Sequence, residues 1–286
     1  MRLEAFAKRL GVRRRPALFI AALFCAQISQ ARLQIVQPAT EPFVFSGKAR
    51  QIEVVFHNVG TDDLAAPLST RVFQASSSTL APIGPHQDWK KLRVLAGQKV
   101  IETATFDFPD VRAMTVFQIR WLNGDNEIGQ STVHVLPTNV LSQISVLTTN
   151  KPVGLIDPDD VLKPLLKNCA VKYEELSAKK PFAEFKGRLV LIAASADADI
   201  VDAGLTAGSK HPIIVLWMRE LGPHIGSVPN LYFVQAGQVQ VAVVDANLFA
   251  DLEHSALAQI NLLRCIKTAQ HPEKLKLPTS SKVRPE

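Results

Sequence analysis

Hydrophobic positions change their spacing about half-way along the chain. From Arg32 to about Pro137 they recur every second residue. Ile52, Val54 and Phe56 alternate with Gln51, Glu53 and His57, and Ala104, Phe106 and Phe108 alternate with Thr103, Thr105 and Asp107. Phe117, Ile119 and Trp121 continue the same rhythm around Gln118 and Arg120. A period of two with one polar side belongs to antiparallel strands that are wet on one face. Turn signals separate the runs at Asn58 to Gly60, Ala96 to Gln98 and Asn123 to Asp125. Short strands at this spacing, with no helical stretch among them, predict an all-β sandwich over 32–137.

After a short linker from Pro137 to Gln143 the rhythm becomes continuous apolar runs alternating with helical patterns. The run from Arg188 to Ser195 is apolar without interruption, as expected of a strand buried on both faces at the centre of a parallel sheet. Ile144 to Thr149 and Ile213 to Met218 read as further strands, with a short one at Lys172 to Leu176. Asp157 to Asp160 followed by Pro164 marks a helix start. Asn230 to Val244 reads as a hairpin turning at Ala236 to Gln238. An amphipathic helix follows over Leu252 to Lys267, with Ala256, Ile260 and Leu263 inward. Residues 143–269 are therefore expected to form a three-layer α/β domain with a mostly parallel sheet, a C-terminal hairpin and a final helix. The proline- and lysine-rich residues 270–286 read as a disordered tail.

Charge alters this picture at one end. The formal net charge is +6, but residues 1–31 hold six basic residues and the single acid Glu4, or +5, leaving +1 for the remainder. That near-neutral remainder gives no electrostatic footing for binding nucleic acid. The basic start is followed by the apolar run Ala17 to Ala26 and then by small residues, with Ser29 to Ala31 as the favoured cleavage point. This is the pattern of a signal peptide, too short to stay as a membrane span. The expectation is export to the periplasm or the extracellular space. Cys169 and Cys265 would then meet an oxidising compartment. A bridge between them is conceivable, but the helical stripes that carry them favour two free thiols.

Two resemblances follow from particular residues. Phe56 to Gly60, Leu95 to Gln98 and Phe117 to Trp121 resemble immunoglobulin-like modules of exported bacterial proteins. Leu189 to Ala194, Ala236-Gly237 and Val239 to Val244 with the final helix resemble the class I glutamine amidotransferase-like domain. The first resemblance implies a spacer or docking module. The second implies a cysteine on the turn after the central strand and a His-x-Glu after the last one. Ala193 to Asp197 holds no cysteine, and Asp245 to Asn247 holds no such pair, so the triad of that family is absent.

One catalytic arrangement remains to weigh: Ser195 as nucleophile, with Asp197 or Asp245 orienting His224 or His254. Asp197 violates the small-residue pattern around such a nucleophile, and Ser195 or Asp197 serves equally as a helix cap. The histidines at 57, 86, 134, 211, 254 and 271 lack metal-ligand spacing, and no cofactor motif is present. Trp89, in a loop, reads as a cover for the core in preference to a sugar platform. The expected function is an exported, non-catalytic binding or scaffolding protein, accessory to an envelope or carbohydrate-active system. Its partner would be an exported protein or a carbohydrate, bound through Thr149, Asn150, Ser195, Asp197 and Asp245 at the carboxyl ends of the strands. A serine hydrolase built on Ser195, Asp197 and His224, and a purely structural envelope protein, are the alternatives.

Overall fold

The computed structural model describes residues 32–177, 182–220 and 231–271. The leader at 1–31, His224 and all of the expected tail except Gln270 and His271 lie outside the described residues. In the first half, β1 (Leu33–Val36), β2 (Phe43–Phe45), β3 (Ala49–Asn58) and β4 (Leu64–Ala75) are followed by β5 (Leu80–Val94), β6 (Lys99–Asp107), β7 (Thr115–Asn123) and β8 (Asn126–Leu136). They form a three-stranded sheet in the order β1-β3-β6 and a five-stranded sheet in the order β2-β8-β7-β4-β5. The period of two does what it predicts. Ile52, Val54 and Phe56 of β3 and Phe106 of β6 are buried, and so are Phe117, Ile119 and Trp121 of β7. Side chains from both sheets join one apolar cluster.

Trp121 is the hub of that cluster. Its ring meets Phe56 edge-on at 5.3 Å, Trp89 at 5.1 Å and Phe106 at 5.9 Å, and its Nε1 donates to Ser131 Oγ at 3.0 Å. Trp89 lies within β5 and not in a loop as expected, but it also stacks on Phe56 and so covers the core. Buried Asn58 ties the end of β3 to its neighbours. Its Nδ2 reaches the carbonyls of Asp62, Val94 and Leu95 at 2.8, 3.2 and 3.3 Å, and its Oδ1 accepts from Gly60 N at 3.0 Å. A buried amide that satisfies both ends of itself in this way fixes the strand exits.

The expected linker and the strand drawn over Ile144 to Thr149 are both helical. A 3-10 turn, Val140–Ser142, runs into α1 (Gln143–Leu147). Val140, Leu141 and Ile144 are buried at helical spacing, while Val146 is 75% exposed, which no strand buried on both faces allows. Thr149 and Asn150 then adopt left-handed φ values of 52° and 59° and end the helix. The strand starts later, as β9 (Val153–Ile156). Gly154 lies within it because a Cβ there would come to 2.6 Å from Leu176 Cδ1 and 3.0 Å from Val190 Cγ2.

The remaining elements are α2 (Lys163–Asn168), β10 (Tyr173–Glu175), β11 (Leu189–Ile192), α3 (Ala198–Ala207), β12 (Ile213–Arg219), β13 (Leu231–Ala236), β14 (Val239–Asp245) and α4 (Ala256–Gln270). The sheet order is β10-β9-β11-β12-β14-β13, parallel throughout except for β13. All four residues of β11 are buried, parallel to both neighbours, as the unbroken apolar run requires. Leu189 and Leu191 pack on one face with α4, while Val190 and Ile192 pack on the other with Phe182, Phe185 and Val201.

The two halves are joined through α4. Phe45 and Leu136 enter the same cluster as Leu262, Leu263 and Ile266. Phe43 stacks on His134 at 4.6 Å, Arg264 lies 5.5 Å from the Phe43 ring centre, and His134 pairs with Glu41. Gln270 Nε2 donates to the Leu147 carbonyl at 3.0 Å.

Both described cysteines are free, each packed against that shared cluster. Burial pushes the Cys265 thiol up from 9.0 to about 11 and raises that of Cys169 also. At pH 8 a shift of this size leaves about a hundredth of the usual thiolate at Cys265, offset about tenfold by greater intrinsic nucleophilicity. Modification by a disulfide reagent is expected to run at least about tenfold slower in the folded chain than in denaturant. Equal rates would contradict the burial. The folded thiol keeps its proton to about 11 whereas the unfolded one loses it near 9.0, so this group's contribution to stability falls as pH rises between those values.

Candidate functional site

In a parallel sheet the loops at the carboxyl ends of the strands are the usual place for ligands. Here that edge is acidic and its carboxylates are engaged. Asp157 follows β9 and accepts from Val161 N at 3.0 Å, Leu162 N at 2.7 Å and Lys163 N at 2.9 Å, gathering the free amides at the start of α2. Asp197 follows β11 and accepts from Asp199 N at 2.9 Å, capping α3. Asp245 ends β14 and accepts from the backbone and side-chain nitrogens of Asn247, both at 3.0 Å. Ser255 caps α4 through Ala258 N at 3.1 Å. Each of these helix starts, where an external anion would find free N–H groups, already holds an oxygen of the chain itself. Lys163 bridges Asp160 at 2.6 Å and Glu175 at 3.1 Å, and these partners hold its ammonium above the usual lysine range.

Ser195 is exposed in the turn between β11 and α3, two residues before the cap Asp197. Its φ is not among the positive values, so the strained conformation of a nucleophile elbow is not adopted there. His254 is 2.9 Å from Asp251 on the exposed turn before α4. Among the described residues no hydrogen bond joins Ser195 to a histidine, and no three His, Cys, Asp or Glu side chains gather as metal ligands. Of the residues expected at this edge, Ser195 and Asp197 share one turn. Asp245 stands beyond the intervening β12, level with Arg219. Thr149 and Asn150 are elsewhere: with β9 starting at Val153, they belong to the opposite, amino edge of the sheet.

That amino edge is basic. Lys151 precedes β9, Lys172 precedes β10, Arg188 precedes β11 and His211 precedes β12, so four adjacent strands each begin behind a basic residue. Backbone bonds hold them level: Lys172 O accepts from Val153 N at 2.9 Å, and Arg188 O from Ile214 N at 2.8 Å. Lys151, Lys186, Arg188, His211, Pro212 and Ile214 line a cavity of ≈ 490 Å³. The His211 ring is held by its Nε2, 3.1 Å from the Gly187 carbonyl. None of these cavity residues is expected at a binding site from the sequence. The signal available was a basic residue one or two positions before successive apolar runs, which gains meaning only once the strands are ordered side by side.

No protein-family model matches the chain, and no curated protein matches it. Among solved structures it is similar over 37% of its length to the alkylpurine DNA glycosylase AlkC of Pseudomonas fluorescens, at 10% identity, covering 31% of that chain with a TM-score of 0.28. A β-glucosidase from Listeria innocua is similar over 37%, at 11% identity, 16% of that chain and a TM-score of 0.28. The CARDB domain of a Pyrococcus furiosus protein is similar over 38%, at 18% identity, 94% of that chain and a TM-score of 0.24. The chain thus spans less than a third of the glycosylase and about a sixth of the glucosidase. Likenesses at these scores carry no weight for function.

Proposed function

We propose that this chain is an exported, non-catalytic binding protein. Its first half is an immunoglobulin-like β-sandwich, and its second half is a class I glutamine amidotransferase-like domain whose reactive corner has been lost. Two sheets sharing one core support the first assignment. A strand order of 2-1-3-4-6-5, counted from β9, supports the second: it is the flavodoxin-like order with an antiparallel edge strand added. The basic, apolar leader supports export.

The observation that carries the non-catalytic reading is the use of Asp197 as a helix cap beside an exposed Ser195. A carboxylate spent on helix amides is turned away from orienting a base. A fluorophosphonate probe is therefore expected to leave the folded chain unlabelled. Labelling that disappears in Ser195→Ala would establish the hydrolase in its place. Capture of an exported enzyme, or retention on a glycan array, would identify the partner class. A blank array together with an empty pull-down would leave the purely structural envelope role standing.

A further inference from the structure

We propose that the amino edge of the mixed sheet is a binding site for a small oxyanion carrying two or more negative charges, a phosphate- or carboxylate-bearing molecule. The site stands apart from the carboxyl edge, and its existence does not depend on whether Ser195 reacts.

Three observations converge on it. First, charge: the cavity brings Lys151, Lys186, Arg188 and His211 to one place, and among the described residues no carboxylate lines it. Residues 32–286 sum to only +1 (+6 less the +5 of residues 1–31), so three lysine and arginine charges here are a strong local excess. Several cations elsewhere are matched: Lys90 pairs with Glu102, Arg93 with Asp63, Arg120 with Glu127 and Lys163 with Asp160. Among the described residues, Lys151, Lys186 and Arg188 form no ion pair, although they face a common space. Like charges drawn together repel unless a counter-charge lies between them, and a bound anion supplies it.

Second, donor geometry. A guanidinium offers a planar fork that matches two oxygens of a carboxylate or phosphate, and lysine ammoniums add mobile point charges around it. Pro212 and Ile214 add apolar surface on which the carbon frame of a ligand can lie. A volume of ≈ 490 Å³ is within the usual range of small-molecule sites, about 300–1,000 Å³.

Third, polarity of the sheet. Asp157, Asp197 and Asp245 mark the carboxyl ends of three parallel strands, and Lys151, Arg188 and His211 precede the amino ends of three. The helix starts that take anions in related architectures are already filled by these acids. An anion approaching this half is repelled at one edge and attracted at the other.

Isothermal titration of the purified chain at low ionic strength, with pyrophosphate and with citrate as separate probes and glucose as a neutral control, tests the proposal. At least one anion is expected to bind and glucose is not. Affinity is expected to fall several-fold as salt rises through the physiological range, because the cavity opens to solvent. Arg188→Gln is expected to weaken binding about tenfold, and Lys186→Gln several-fold, while Lys99→Gln in the first half changes nothing. All three side chains are exposed, so folding is expected to be unaffected, which circular dichroism verifies. Preference for pyrophosphate assigns a phosphorylated ligand, and preference for citrate a polycarboxylate. No binding of either probe at low salt overturns the proposal. So does binding that Arg188→Gln and Lys186→Gln leave unchanged.

Discussion

Trp121→Ala is expected to lower stability by about 3–5 kcal/mol, the usual cost of deleting a large buried aromatic. Trp121 is fully buried, and its removal opens the centre of a ring of Phe56, Trp89 and Phe106. Ser131 Oγ also loses the donor it accepts from. Those neighbours are held by β3 and β6 of the other sheet and by β5, so the gap cannot close by a local shift. At about 2–4 °C per kcal/mol for a chain of this size, the melting temperature is expected to drop on the order of 10 °C. Trp121→Phe, which keeps most of the volume and loses the indole N–H, is expected to cost less than half as much. A melting temperature unchanged in Trp121→Ala would mean that the cluster around it is loosely packed.

Gly187→Ala is the second change with a large expected effect. A Cβ at this position would run into the Pro152 carbonyl oxygen and the Phe185 Cζ, and would lie 2.7 Å from the Phe185 Cε1. Phe185 is fully buried and has no room to swing away, and the Pro152 oxygen belongs to the backbone entering β9. The backbone must therefore give way, at a cost expected near the upper end for overpacking, about 3 kcal/mol. Gly187 also lies between Lys186 and Arg188, and its carbonyl holds His211. The same substitution is thus expected to weaken pyrophosphate or citrate binding although no charge is removed. Urea unfolding and titration on one sample would read both effects. A wild-type midpoint would show that the loop yields freely.

Most of the fold is legible from periodicity, because each half obeys a single rhythm over many residues. The exception is instructive. Ile144 to Thr149 has the β-branched, apolar look of a strand, yet Val146 faces solvent and the helix buries Val140, Leu141 and Ile144. The true strand, Val153 to Ile156, is disguised by Pro152 before it and by Gly154 within it. Gly154 is there to let Leu176, Val190 and Phe185 close over the sheet, a requirement set by residues more than twenty positions away. That displacement of the first strand also moved Thr149 and Asn150 to the other edge.

The acidic edge is legible in part. Asp157 and Asp197 precede helical patterns in the sequence, and both act as caps. The basic edge is not, since Lys151, Arg188 and His211 are dispersed over sixty residues and become neighbours only through the parallel order of β9, β11 and β12.

The final helix gives the molecule no natural seam. Trimming the chain at Pro137 would strip Phe45 and Leu136 of their cover and leave Leu262, Leu263 and Ile266 facing water. Either fragment would carry a sticky scar, and each half works as the lid on the other's oily underside.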